Sequence, residues 1–244
     1  MGYTNTGLVE HAKLALRLKT KYMWGGILRP ITDNYVNQLS GIPAYKTHYP
    51  NSRVAMLKAL PDGYFGVDCV GLIKSYYWSG KDNGGTGSPN YGKAGFPDVN
   101  AHGMYNAAKV KGKINTMPEI AGLIVYSKTH PHVGVYIGNG YVIESTLSAR
   151  GDGVVKTKLS AWKGWEYWFK CPYISYPKAS TTTALKAGDT VRVIGGAPDY
   201  NGKALASFVY KQKYTVMQVK GDRVVIGQKG AVTAAINKKY LSKA

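Results

Sequence analysis

The sequence predicts two folded parts, an α+β domain over residues 1–175 and a small all-β barrel over residues 185–244. Three observations carry this reading. Cys69 stands between a glycine-rich turn and an apolar run able to start a helix. Further on, His132-Val133-Gly134-Val135-Tyr136-Ile137 and Tyr141-Val142-Ile143-Glu144 read as strands around Gly138-Asn139-Gly140, a strong hairpin signal. Residues 176–184 are polar, small and proline-bearing, as a linker is, and closely spaced short strands follow them.

Hydrophobic residues make up 44% of the chain, which supplies a core and excludes the disordered class. The charge is lopsided, 32 Lys+Arg against 13 Asp+Glu, for a net +19. It divides evenly by part: residues 1–175 hold 20 basic and 10 acidic side chains, residues 176–244 hold 12 and 3. Such a chain should associate with a polyanion, either nucleic acid or the anionic polymers of a bacterial wall. No apolar run approaches the ~20 residues of a membrane span. Met1 to Thr6 shows no basic-then-apolar export pattern, so synthesis in the cytoplasm without a signal peptide is expected. Two cysteines make no disulfide framework, and Cys171, in the aromatic run 167–174, is expected as a small buried hydrophobe.

Taken in order, Leu8, Val9, Ala12, Ala15 and Leu16 fall at helical spacing between Thr6 and Lys19, with Thr4, Asn5 or Thr6 as cap. His11 on this helix is expected to be exposed or satisfied. In Tyr22-Met23-Trp24-Gly25-Gly26 the paired glycines end an element and let another backbone approach. Residues 27–65, with Pro30, Pro43, Pro50 and Pro61, read as a partly helical surface excursion that includes His48. A helix over 69–78 follows, with Asp68 as its cap. The Gly-, Asn-, Pro- and Ser-rich stretch 80–103 suits a binding loop or lid. A short helix is expected over 101–109, opened by His102, then strands at 121–126, 132–137 and 141–146. Trp162, Trp165, Trp168 and Phe169 close the first part. In the second, strands are expected at 191–194, 207–210, 214–219 and 223–226.

A thiol at a helix start meets the positive end of the helix dipole and unpaired N–H groups, which favour thiolate, the nucleophilic form. A base on one strand and a polar orienter on the next complete a cysteine–histidine hydrolase layout: Cys69, His132 and Glu144. His130 and His132 have no cysteine or carboxylate cluster around them, so no metal is expected. No glycine-rich loop runs into Lys-Ser/Thr, so no nucleotide chemistry is expected, and no cofactor.

Tyr22-x-Trp24-Gly25-Gly26, Asp68-Cys69-x-Gly71-Leu72-Ile73 and His132-Val133-Gly134-Val135-Tyr136-Ile137-Gly138 resemble the NlpC/p60 family of cell-wall cysteine peptidases, in the family's order. The resemblance implies a papain-like α+β domain with Cys69 as nucleophile, His132 as general base and Glu144 as the third group, where many members have His, Asn or Gln. It also implies a substrate-positioning or oxyanion role for Tyr22. Two departures stand out. Val70 replaces the usual Ser after the cysteine, and the insertions 27–65 and 80–118 are long. The second part resembles bacterial SH3-type (SH3b) wall-binding modules, on Leu185-Lys186-x-Gly188-Asp189-Thr190-Val191 and the strand pattern. Together these resemble a phage or prophage endolysin that acts at the bacterial wall after holin-type release or from outside.

The activity implied is cleavage of an amide bond of the peptidoglycan stem peptide, foremost that between D-Glu and the diamino acid. Its partners would be peptidoglycan and anionic wall polymers, with no nucleic acid. The same machinery would serve an N-acetylmuramoyl-L-alanine amidase or an acyltransferase. From another class altogether, a basic binding module with an idle cysteine is the alternative.

Overall fold

The computed structural model describes residues 3–79, 86, 88–92, 95–176 and 185–244. The expected linker, apart from Tyr176, lies outside the described residues, as do residues 80–85, 87 and 93–94 of the expected loop. The chain divides into two compact units, Met1–Tyr176 and Pro177–Ala244. The first is a mixed α/β body.

Helix α1, Asn5–Arg17, begins where Thr4 leaves the extended region and its side chain accepts from Gly7 N. Leu8, Val9, Ala12 and Ala15 form its buried face. Strand β1, Lys19–Tyr22, pairs in parallel with β3, Tyr64–Val67, whose other edge takes β2, Arg29–Pro30. Between β2 and β3, residues 31–63 are more than a surface excursion. Helix α2, Asp33–Ser40, and helix α3, Asn51–Lys58, flank a 3₁₀ turn. Together they bury Tyr35, Val36, Leu39, Tyr49 and Leu57 with Met23, giving this segment a hydrophobic cluster of its own. The prolines that read as loop punctuation serve as starts instead, Pro43 for the 3₁₀ turn and Pro50 as the cap residue of α3.

Helix α4, Gly71–Trp78, has every residue buried, as an element surrounded by protein must. Its first turn touches the Tyr22–Gly26 segment directly: a Cβ on Gly71 would lie 1.8 Å from Gly26 O. That contact explains why glycines stand on both sides. Helix α5, Ala101–Ala107, is capped by the Asn100 side chain.

Six strands then form one antiparallel sheet: β4 (Lys111–Lys113), β5 (Ile124–Ser127), β6 (His132–Gly138), β7 (Tyr141–Ser148), β8 (Gly151–Lys158) and β9 (Tyr167–Phe169), in the order β4-β9-β5-β6-β7-β8. The β6–β7 turn runs through Gly138, Asn139 and Gly140, all at positive φ, as its composition requires. Val133, Val135 and Ile143 join the core around α1 and α4, while Val125, Tyr136, Val142 and Trp165 form a second cluster. The aromatic run 167–174 is strand only to Phe169. Cys171 is buried beyond it and Tyr176 OH donates to Gly122 O, so the chain is still anchored at that residue.

The second unit is a five-stranded antiparallel sheet. Its strands are β10 (Thr190–Val193), β11 (Lys213–Lys220), β12 (Arg223–Gln228), β13 (Ala231–Asn237) and β14 (Leu241–Lys243), ordered β13-β12-β11-β10-β14. Val191, Tyr214, Val216, Val224, Ile226 and Ile236 form its core. One expected strand is corrected: Ser207–Tyr210 is a 3₁₀ turn. Its apolar run buries Val209 and leaves Phe208 exposed, and Tyr210 OH donates to Ala197 O, so it caps the core without pairing. Strands β13 and β14 complete the sheet beyond the three expected strands that form.

Candidate active site

Cys69 immediately precedes α4 in a turn set by Asp68. The Asp68 carboxylate accepts from Gly71 N at 2.5 Å and from Gly25 N at 2.8 Å, so one side chain caps the turn and ties it to the glycine pair. This is the capping role expected of it, extended across 43 residues. Burial raises the Asp68 pKa, opposed by those N–H groups and by Lys74.

The expected thiolate is not favoured in this structure. Burial, then the Asp68 charge, push the Cys69 thiol up to about 12, against the backbone N–H groups of Val133, Val70 and Cys69 itself. Desolvation outweighs the helix start because a thiolate here would lose water on every side. A thiol so placed would act as a nucleophile only by handing its proton to a base at the moment of attack.

His132 opens β6, and its Nε2 lies 2.7 Å from Glu144 Oε2 on β7. Glu144 is fully buried and accepts from three more donors: Arg150 Nε at 3.0 Å, Arg150 Nη2 at 3.0 Å and Thr157 Oγ1 at 3.1 Å. Burial would raise its pKa, but the His132 hydrogen bond and Arg150 outweigh that and hold the carboxyl below its ordinary range. Trp165 stacks on the His132 ring at 5.5 Å, and Trp162 meets it edge-on at 5.8 Å while carrying the Arg150 guanidinium on its face at 4.2 Å. Gly134 leaves room for this: a Cβ there would come within 2.5 Å of Val142 and 3.2 Å of Trp165.

Tyr22 sits at the end of β1, hydrogen-bonded to Cys69. Burial, then the Cys69 and Asp68 charges, push its hydroxyl far above the ordinary tyrosine range, so it stays a neutral donor. Its backbone is clamped twice. Tyr22 N donates to Asp152 Oδ1 at 3.0 Å, and Arg53 Nη2 donates to Tyr22 O at 2.5 Å while Arg53 also pairs with both Asp152 oxygens.

Two pairs are thus brought together, His132 with Glu144 and Tyr22 with Cys69. The thiol lies against the start of β6 through Val133 N–H, and no Cys69–His132 hydrogen bond is formed. Cys69 and Tyr22 line a cleft of about 650 Å³. Trp24, Tyr45, Lys74, Asp98 and His102 also face it. His48 stacks on Trp24 at 3.6 Å, His102 Nδ1 meets Tyr126 OH at 3.1 Å, and buried His11 binds Ser75 Oγ at 2.8 Å behind α4. His11 is therefore satisfied and not exposed. Arg150, Thr157, Arg53 and Asp152 had no part in the sequence reading. For Thr157 a signal existed, since extending the hairpin by one strand pairs Val155 with Glu144 and puts Thr157 two residues along on the same face, whereas Arg150 lies in the β7–β8 turn outside that register.

Among the described residues no group of three or more His, Cys, Asp or Glu could hold a metal ion, and no helix is long and apolar enough to cross a membrane. No model of a protein family matches the chain, and no curated protein matches it. Among solved structures it is similar to the peptidoglycan hydrolase RipB from Mycobacterium tuberculosis, at 19% identity and TM-score 0.37 over 70% of this chain. That match spans 65% of RipB, less than two thirds of its length. It is also similar to the P60 domain of an antigen from M. avium subspecies paratuberculosis, at 19% identity and TM-score 0.38, over 70% of this chain and 98% of that one.

Proposed function

We propose that this chain is a peptidoglycan hydrolase of NlpC/p60 type, with a papain-like first part over residues 1–175 that cuts an amide bond of the stem peptide. The observation that carries the reading is the buried Glu144 holding His132 at the strand start against which the Cys69 thiol lies, at the wall of an open cleft. The bond is that between D-Glu and the diamino acid. Substrate brings the His132 imidazole and the thiol into hydrogen-bond range, a tightening common once a site is filled. His132 Nδ1 takes the Cys69 proton as sulfur attacks the carbonyl, and Glu144 stabilises the imidazolium through Nε2–H. Backbone N–H groups at the start of α4 and the neutral Tyr22 hydroxyl receive the oxyanion. The C–N bond breaks as His132 returns its proton to the leaving amine. Water, deprotonated by His132, then cleaves the thioester and regenerates the thiol.

The second unit serves in this reading as an SH3b-type module joined through residues 176–184. Its 12 basic against 3 acidic residues suit it to anionic wall polymers, the sign of charge a teichoic acid offers.

Digestion of purified peptidoglycan by the wild type and by Cys69→Ala, with products read by mass spectrometry, tests the proposal. Release of peptides with new D-Glu carboxyl termini by the wild type alone is expected. New L-Ala amino termini on whole stem peptides would make the enzyme an amidase. No cleavage of several wall types under reducing conditions would overturn the hydrolase and leave a binding protein with an idle cysteine.

A further inference from the structure

Lys74 is a buried charge for which neither folding nor the proposed chemistry accounts. It lies on α4, one turn and a half beyond Cys69, and lines the same cleft. Its ammonium pairs with Asp98 Oδ1 at 2.5 Å and stands 5.1 Å from the Trp78 ring centre. The pair is unequal: the Lys74 side chain is 10% exposed, the Asp98 side chain 70%. A cation so placed cannot leave the cleft wall without being stranded in protein, whereas Asp98 can turn into water at little cost, since a solvated carboxylate gains little from one partner. The other acid in the wall, Asp68, accepts from Gly71 N and Gly25 N, and its charge acts on Lys74 without forming an ion pair with it. His102, the remaining titratable group of this stretch, is engaged with Tyr126. Among the described residues lining the cleft, Lys74 is the one Lys or Arg.

We propose that Lys74 is the seat of a substrate carboxylate and that Asp98 is its placeholder, displaced when substrate enters. This rests on the hydrolase reading, whose substrate supplies the group: a D-Glu linked through its γ-carboxyl keeps a free α-carboxylate three carbons from the scissile carbonyl. The site then selects stem peptides with D-Glu over those in which that carboxyl is amidated. An α-amide would bring no charge to replace Asp98, and a buried ammonium facing a neutral group loses most of its attraction.

The test uses two synthetic tetrapeptides, L-Ala-γ-D-Glu-L-Lys-D-Ala and its D-isoglutamine counterpart, with wild type, Lys74→Met and Asp98→Asn. Cleavage gives KM and kcat, and calorimetry on Cys69→Ala, with and without each second change, gives affinity without turnover. In the wild type the acid peptide should show a KM about tenfold below that of the amide. Lys74→Met should erase that difference by raising KM for the acid alone, with kcat little changed. Asp98→Asn should act with the opposite sign, lowering KM for the acid peptide about threefold as the competitor is removed. Were the pair merely a fastening of the 96–100 segment, both variants would weaken both peptides together, and that result overturns the seat. Equal handling of the two peptides by the wild type overturns it as well, while leaving the hydrolase intact. Binding of the acid peptide through Lys74 without cleavage by the wild type would retain the seat and reject the hydrolase. If Lys74→Met does not fold, the sign of the Asp98→Asn effect decides.

Discussion

The two sides of the candidate active site are built in different ways. The base side comes from residues 132–157, where β6, β7 and β8 are neighbours in sequence and in the sheet, and Glu144 is satisfied by four hydrogen bonds from that stretch alone. The nucleophile side is gathered from Tyr22, Gly25, Arg53, Asp68 and Asp152, which lie up to 130 residues apart, and much of it is held through backbone atoms. Local strands make a rigid base cheaply in conformational entropy, whereas the thiol depends on long loops closing correctly. The base side should therefore fail in chemistry when altered, and the nucleophile side in assembly.

The largest effect expected is on the base side. Glu144→Gln keeps the shape but removes the charge that stabilises imidazolium and pairs with Arg150, so kcat should fall by about 10³-fold or more, a loss far larger than the accompanying drop in stability explains. An unchanged rate on the acid tetrapeptide would remove Glu144 from the mechanism. On the nucleophile side, Arg53→Met leaves Asp152 with Lys21, 3.2 Å away, as its remaining charged partner beside Tyr22 N, and frees Tyr22 O. Loss of about 3 kcal/mol in a urea titration is expected, with activity falling alongside stability. Should activity drop while stability holds, the clamp would be part of the chemistry and the contrast would collapse.

The third prediction concerns the support behind α4. Burial, partly offset by Leu72 O, lowers the His11 pKa from 6.5 to about 4. The unfolded chain gains this proton near pH 6.5 and the folded chain only near 4, so stability is full above 6.5 and declines as pH falls through that window. The loss is about 3 kcal/mol for a fully buried imidazole. His11→Gln, which retains a group able to reach Ser75, should flatten the stability profile between pH 6.5 and 4. A profile unchanged by that substitution would show that other groups govern the acid side.

Legibility in the sequence follows the same division. The β6–β7 hairpin is readable because Gly138-Asn139-Gly140 tolerates the positive φ that a tight hairpin turn needs and because Glu144 lies twelve residues after His132, which is two strand ends and a turn. Helix α1 was readable from its apolar spacing. In residues 27–65 the partly helical character is legible, but the buried cluster of Tyr35, Val36, Leu39, Tyr49 and Leu57 is not, because it mixes two short helices and a turn and no single period runs through it. The 3₁₀ turn at Ser207–Tyr210 was mistaken for a strand because four apolar residues suit either state, and only the absence of a pairing partner decides.

By itself the sequence singled out the candidate site residues, since a cysteine before an apolar helix and a histidine before a glycine-turned hairpin are local patterns. Their ionisation was decided by tertiary structure. The helix start argued for a thiolate, yet enclosure by protein pushes Cys69 up to about 12, while around Glu144 the same enclosure is outweighed by the His132 hydrogen bond and Arg150, which hold the carboxyl below its ordinary range. Burial and distant partners set those energies, and neither is a property of any short stretch of chain.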